Sequence, residues 1–136
     1  MSVPNQVIRD IFIGALTVHS TEDTYQWWSV LPIGYLYKLE DAYVMSQTNV
    51  AAGTTNVLTF QLSDEDSNLI CSLAGSTAIV AAGVAMGSIS ATYRYIDATE
   101  AAHKIFVSTT CSGEGQTFTN TNIVTRWSIH KPGSGG

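Results

Sequence analysis

The sequence predicts an all-β protein: a single-domain antiparallel β-sandwich of about eight strands with jelly-roll-like topology. Apolar side chains recur at every second position in Thr121–His130 and in Ser88–Tyr95, which is the period of a strand with one buried face. No stretch repeats its apolar residues convincingly with the 3.6-residue period of an amphipathic helix. Turn-forming residues separate the strand-like stretches at intervals of roughly 8–12 residues, as they do in sandwiches.

The chain of 136 residues is predicted to form one domain with a short flank at each end. Residues 1–6 would form an N-terminal arm, because Pro4 cannot donate a hydrogen bond within a central strand. Residues 7–131 would form the sandwich, which at this size can bury roughly two-thirds of the unfolded surface. Residues 132–136 read Pro-Gly-Ser-Gly-Gly and are expected to be a flexible tail.

Three strands are predicted in the first part of the chain, over Val7–His19, Tyr25–Leu31 and Tyr35–Thr48. The first is apolar at positions of both parities, since Ile11 and Ile13 alternate with Phe12. Both of its faces therefore need a cover, from the sandwich or from a neighbouring subunit, and Ile11 and Ile13 are candidate interface residues. The third strand is expected to turn Leu39, Tyr43 and Met45 to one face.

A hairpin is predicted next, from Asn56–Leu62 and Leu69–Leu73 around a turn at Ser63–Asn68. Its core-facing residues would be Leu58, Phe60, Leu62, Leu69, Cys71 and Leu73. The Ala- and Gly-rich stretch after it is interpreted as a crossing connection with a short strand at Ala78–Ala82. Three further strands are predicted, over Ser88–Ile96, Lys104–Thr110 and Gln116–His130.

Composition excludes some classes of partner. Charged residues are 12% of the chain, about half the usual share, and the formal net charge is −5. The six Lys and Arg residues are scattered, which argues against nucleic acid, since its phosphates require clustered cations. The most apolar run, Ala74–Met86, is too short to span a membrane. Without a signal-like N-terminus, the chain is expected to start in a cytoplasm or to be already processed.

Residues that could carry chemistry have ordinary structural explanations. Asp64, Asp66 and Asn68 match the first ligands of a calcium loop, but no Glu follows at the bidentate position, so a turn is favoured over a metal site. Cys71 and Cys111 could form one disulfide, although Cys71 shares its face with leucines, which favours a buried free thiol.

The sequence predicts neither a catalytic residue nor a cofactor site. The three histidines lie too far apart for a typical zinc pair, and there is no Gly-x-Ser-x-Gly elbow. The protein is therefore expected not to be an enzyme, and a hydrolase with a site assembled only in space is kept as a third class.

Consecutive tryptophans mark the second predicted strand. Neighbouring strand residues point to opposite faces, so Trp28, which shares parity with Val30, is expected in the core. Trp27 would then point outward beside Tyr25, and the two are candidate interface residues. Burial of both faces within a thick sandwich is the alternative.

A family resemblance begins at these tryptophans. Residues 24–35 read TYQWWSVLPIGY and lead into residues 39–45, LEDAYVM. A small-residue loop, the Leu58–Leu73 hairpin, the Ala/Gly connection and the strand end at Tyr93–Asp97 follow. This succession, over Val7–His130, resembles the small β-rich proteins of tailed bacteriophages that decorate or cement the capsid exterior.

The resemblance implies a non-enzymatic virion structural protein that is made in the host cytoplasm and stabilises the outside of the phage head. Its implied partners are the major capsid protein and other copies of itself, commonly as a homotrimer. The family has no catalytic residues. The alternative function is a carbohydrate- or receptor-binding β-sandwich of a phage tail or fibre, with Tyr25 and Trp27 as a stacking platform.

Overall fold

The computed structural model describes residues 6–19, 25–47, 49–50, 57–75, 83–111 and 117–131. Side chains are described in these ranges except at 6–7, 12–19, 25–26, 111 and 117–120. The predicted strand at Ala78–Ala82 lies outside these residues, as do the tail and all of the predicted arm except Gln6, at which the first strand begins.

The described residues form strands and turns, with no helix among them. The strands are β1 (Gln6–His19), β2 (Tyr25–Leu31), β3 (Leu36–Met45), β4 (Leu58–Asp64), β5 (Leu69–Ala74), β6 (Val84–Ala85), β7 (Tyr95–Asp97), β8 (His103–Cys111) and β9 (Thr117–His130).

The strands pair in the order of a jelly roll. One sheet runs β1-β9-β3-β6 and the other β2-β8-β4-β5, with every pair antiparallel. The short strand β7 pairs with the same edge of β3 as β6, so the two share one position. β1 pairs with β9, β2 with β8 and β3 with β7, and β4 forms the central hairpin with β5. This is the order of a long hairpin rolled into two sheets. The predicted sandwich is confirmed.

The core lies between the two sheets, where every second residue of β4 and β9 points inward. Leu58, Phe60 and Leu62 of β4 are fully buried, as the hairpin pattern predicts. The residues on the inward face of β9 are buried as the alternation predicts, but Val124 and Ser128 on its other face are buried as well, so the prediction of a single buried face is wrong there. Trp127, on the inward face, donates from Nε1 to the Thr125 hydroxyl at 2.7 Å. This bond satisfies the indole N–H, so a large aromatic is buried without an orphaned donor.

β-bulges overturn two of the predicted faces. In β3 the register against β9 shifts between Leu39 and Asp41, so Leu39 is buried together with Ala42 and Val44 while Tyr43 lies on the other face. In the hairpin the shift between Leu62 and Ser63 leaves Leu69 exposed. An extra residue in one strand reverses the alternation beyond it, and a period of two does not reveal where that residue lies.

The strand predicted at Ser88–Ile96 is wrong over most of its length, because a turn occupies residues 91–94 and only Tyr95–Asp97 is strand. The Ser90 hydroxyl accepts hydrogen bonds from the amides of Thr92 and Tyr93, at 3.2 and 3.0 Å. A serine that bonds backbone amides two and three residues ahead stabilises a turn in place of a ladder.

The predicted free thiol is confirmed for Cys71, which is buried. Burial raises the pKa of this thiol to about 12. Cys71 pairs with Leu62 on one side of β4, and Cys111 pairs with Leu58 on the other. The two cysteines are thus displaced by about 13 Å along the strands, which exceeds the roughly 7 Å limit between disulfide-bonded Cα atoms.

Candidate functional site

The two tryptophans of β2 have the opposite orientation to the predicted one. Trp28 is 55% exposed, whereas Trp27 is half-buried and packs against the core. Leu31, which shares the parity of Trp27, is completely buried, and Val30 is exposed. The pairing of β2 with β8 has no bulge, so the alternation itself is regular. The pattern of a strand with apolar residues on both sides does not reveal which side meets the other sheet.

Trp28 lies on the outer face of the second sheet. It pairs across the strands with Phe106, and the Lys104 ammonium lies 4.9 Å from the centre of its ring. The same face carries Ser108 and Gln61, which are opposite each other on β8 and β4 and half-buried. This surface therefore combines one exposed indole, one cation and several hydrogen-bonding groups.

The two sides of the sandwich end differently. On the side of β5 and β6, residues 86–90 cross between the sheets: the amide of Met86 donates to Ala42 of β3, and that of Gly87 to Ser72 of β5. The amide of Ser90 donates to Ile70 of β5 as well. We call this side the sealed edge, because one segment bonds to both sheets there.

On the other side, β1 and β2 are the end strands of their sheets, and each has a strand partner on one side only among the described strands. Between them opens a groove of about 490 Å³. We call this side the open edge. Its groove is lined by Arg9, Asp10, Ile11, Val30, Pro32, Tyr35, Tyr37 and Ile129.

The wall of the groove is largely apolar and aromatic. Tyr35 and Tyr37 meet edge to face with ring centres 6.2 Å apart, and Tyr37 meets Trp127 in the same way at 6.2 Å. The Tyr37 hydroxyl donates to the carbonyl of Pro32 at 2.7 Å, and burial raises the pKa of this phenol. The row of rings runs from an exposed residue to the centre of the core, so the floor of the groove is continuous with the core.

Two arginines at the open edge differ in their partners. Arg126 binds Asp10 through two nitrogens, at 2.8 and 3.2 Å, and this pairing lowers the pKa of the Asp10 carboxyl. Arg9 is exposed, and no described carboxylate lies within ion-pair distance of it. Arg9 is therefore a cation at the groove that remains available to a binding partner.

The acidic hairpin turn forms a second, smaller pocket of about 150 Å³ together with Asp97, His103 and Lys104. The predicted turn is present: the Asp64 carboxylate accepts from the amides of Asp66 and Asn68. Among the described residues, no group of His, Cys, Asp or Glu is placed to hold a metal ion.

The structure describes two of the four predicted interface residues. Ile11 lines the groove, and Trp27 packs against the core. The side chains of Ile13 and Tyr25 lie outside the described part of the chain. Sequence reasoning missed Arg9 and Tyr35, whose importance depends on which residues the fold leaves at an edge, and it wrongly placed Trp28 in the core.

No model of a protein family matches the chain, and no curated sequence matches it significantly. The resemblance to capsid decoration proteins therefore stays a prediction. No helix in the described residues is long and apolar enough to cross a membrane.

Proposed function

We propose that this protein is a non-enzymatic structural protein of a tailed-bacteriophage virion, which binds the outside of the head and stabilises it. The observation that carries the proposal is the open edge, where the aromatic groove is bordered by exposed Val30 and Tyr35. Ile33, which follows the lining residue Pro32 in the turn after β2, is also more than half exposed. An apolar patch enriched in tyrosine and rimmed by polar groups is typical of a protein interface.

The sequence resemblance at residues 24–45 supports the major capsid protein as the partner and the capsid exterior as the location. A decoration protein has to contact several shell subunits through a weakly charged surface. This chain, with 12% charged residues, has such a surface.

The proposal is tested by incubating purified protein with empty heads of candidate tailed phages, followed by pelleting and electron microscopy. Saturable binding in a fixed ratio to capsid subunits is expected, with heads that resist heat better when decorated. Folded protein that binds no head at micromolar concentration contradicts the proposal.

The same function includes self-association, and a homotrimer is the proposed state. The first strand is apolar at positions of both parities, and Ile8, whose parity is opposite to that of the groove residues Arg9 and Ile11, is exposed. This outer face of β1 supports contacts between subunits and leaves the groove to the capsid. Analytical ultracentrifugation at micromolar concentration should show a single trimeric species, and a stable monomer would contradict this part of the proposal.

A second candidate function is carbohydrate binding, and the exposed Trp28 favours it. Sugar rings stack on exposed indoles, and Gln61 and Ser108 on the same sheet face offer donors and acceptors for hydroxyl groups. Binding on a glycan array that Trp28→Ala abolishes, without an effect on head binding or assembly, would support this function.

A further inference from the structure

The backbone of β1 forms one border of the groove. Among the described strands, β9 is its only partner, and the next strand along that side, β2, belongs to the other sheet. Strand edges of this kind bind extended segments, because the free N–H and C=O groups accept a further strand. At residues 9–11 such a strand would lie directly over the groove.

The side chains next to that edge define what the added segment has to carry. Arg9 and Ile11 are two positions apart and both line the groove. In an added strand, the side chains that meet them are therefore also two positions apart. A carboxylate suits the Arg9 guanidinium, which has no ion-pair partner among the described residues, and an aliphatic or aromatic side chain suits the cavity beside Ile11 and Tyr35.

A second copy of this chain fits the edge less well. Pairing over residues 9–11 would bring another Arg9 and another Ile11, and the one carboxylate in that stretch, Asp10, is already bound by Arg126. The Arg9 guanidinium would gain no partner from such a pairing. Charge complementarity therefore disfavours pairing of β1 with a second β1 and favours a segment that supplies an acidic residue, which in the proposed function belongs to the capsid shell.

We infer that the open edge binds an extended segment of a partner protein by strand addition to β1, with an acidic side chain at Arg9 and an apolar side chain, two positions away, in the groove. The inference rests on the proposed function, in which the partner is the capsid shell. It identifies the chemistry of the shell segment: an acidic and an apolar residue separated by one residue.

The first test uses capped synthetic hexapeptides and the isotope-labelled protein. One peptide reads Thr-Asp-Thr-Val-Thr-Val, another has asparagine in place of aspartate, and a further pair has the reverse order, because strands can add in either direction. One aspartate peptide should bind about tenfold more tightly than its asparagine counterpart, as expected for a single charge-assisted hydrogen bond. Amides of β1 should become protected from hydrogen exchange in the complex.

Matched variants identify the groups involved. Arg9→Gln should abolish the preference for aspartate, whereas Lys38→Gln, which removes an equal charge from β3, should keep it. Tyr35→Ser should weaken both peptides alike, whereas Tyr93→Ser should not, although the two tyrosines are similarly exposed at 37% and 40%. The inference is overturned if no peptide binds at millimolar concentration, if aspartate brings no advantage, or if the protected amides lie outside β1.

Three further outcomes separate this inference from the proposed function and from self-association. If Arg9→Gln and Tyr35→Ser decorate heads as well as the wild type, the inference fails and head decoration stands. If no head is bound but the aspartate peptide binds β1, head decoration fails and strand addition stands. Protection of β1 that rises with protein concentration in the absence of peptide would show that a second copy occupies the edge, which overturns the inference.

Discussion

The sealed edge and the open edge of this sandwich solve the same structural problem in different ways. Each sheet of an open sandwich ends in strands with unpaired backbone groups and a gap between the layers. At the sealed edge, the segment around Met86 bonds to both sheets and inserts a side chain that is only 7% exposed. At the open edge, the gap remains as a groove with exposed Val30 and Tyr35 at its border.

The difference shows where stability and interaction are located in this molecule. Substitutions at the sealed edge should lower the free energy of unfolding without affecting binding by the folded protein. Substitutions of exposed residues at the open edge, such as Val30 and Tyr35, should weaken binding and leave stability nearly unchanged. Both statements follow from burial, since a residue contributes to folding in proportion to the apolar surface that folding removes from water.

The largest effect on stability is expected for Met86→Ala at the sealed edge. Met86 packs in the core with its sulfur 3.9 Å from that of Cys71, and its truncation should lower the free energy of unfolding by about 2–4 kcal/mol. Val30→Ala at the open edge should lower it by less than about 1 kcal/mol, because Val30 is already exposed. Urea titration measures both, and equal losses would show that the two edges do not differ in this way.

The next largest difference in stability is expected between substitutions of the two tryptophans of β2. Trp27→Ala should lower the free energy of unfolding by about 2–3 kcal/mol, since the side chain packs against the core. Trp28→Ala removes an exposed ring and its contact with Lys104, with an effect of about 0.5–1 kcal/mol. Thermal and urea unfolding of the two variants give the ranking, and a larger loss for Trp28→Ala would contradict the orientation of β2.

Two glycines with similar positive φ angles allow the space around an added Cβ atom to be compared at two places in the fold. Gly34 and Gly83 have φ of 109° and 105°, so alanine should be strained at both by about 1–2 kcal/mol. A Cβ at Gly34, in the turn after β2, meets nothing within 4 Å, whereas one at Gly83 lies 3.2 Å from atoms of both Tyr43 and Met45. Gly83→Ala should therefore be the more destabilising, by several tenths of a kcal/mol in urea titrations. Equal effects would mean that these side chains move aside freely.

The smallest effect is expected on the stability of the protein at acidic pH. The pKa values of Asp10 and Asp97 are both lowered, the first mainly by hydrogen bonding to Arg126 and the second mainly by the Thr99 hydroxyl. A carboxyl with a lowered folded pKa stabilises the protein above its unfolded pKa of about 3.9, and this contribution is lost as the pH falls through the folded value. Asp10→Asn and Asp97→Asn should each make melting less dependent on pH in that acidic range.

Added salt should affect the contributions of Asp10 and Asp97 to stability differently. Added salt should weaken the contribution of Asp10, which depends on an exposed ion pair, and leave that of Asp97 nearly unchanged. Melting curves of the wild type and both variants at low and high salt test this. Equal sensitivity of the two sites would argue against the open-edge ion pair.

Much of the fold could be predicted, because it depends on local patterns. The bounds of β2 agree with the predicted strand, and the inward residues of β4 and of the second half of β9 are as expected. The faces of β3 beyond Leu39 and the position of Leu69 could not be predicted, since the bulges that shift them depend on the register of a distant partner strand. At residues 91–94 the alternation predicted a strand, whereas the structure has a turn that the Ser90 side chain stabilises.

Less of the candidate site could be predicted. Ile11 was singled out as an interface residue from its place in a strand that is apolar on both faces. It lines the groove, and its role at an interface stays a prediction. Arg9 and Tyr35 carry no sequence signal, because a lone arginine and a tyrosine after a turn are ordinary surface residues. They become candidates only when the fold brings the end of β2 next to the start of β1.

By itself, the sequence determined that this chain folds into strands with inward and outward faces, because alternation with a period of two is a property of neighbouring residues. Only the tertiary structure decided which tryptophan of β2 meets solvent, because alternation is unchanged when the two faces are exchanged. It also decided which edge is closed, through hydrogen bonds from Met86 and Gly87 to carbonyls on two different sheets. Those contacts join residues far apart in the chain, and no local pattern specifies them.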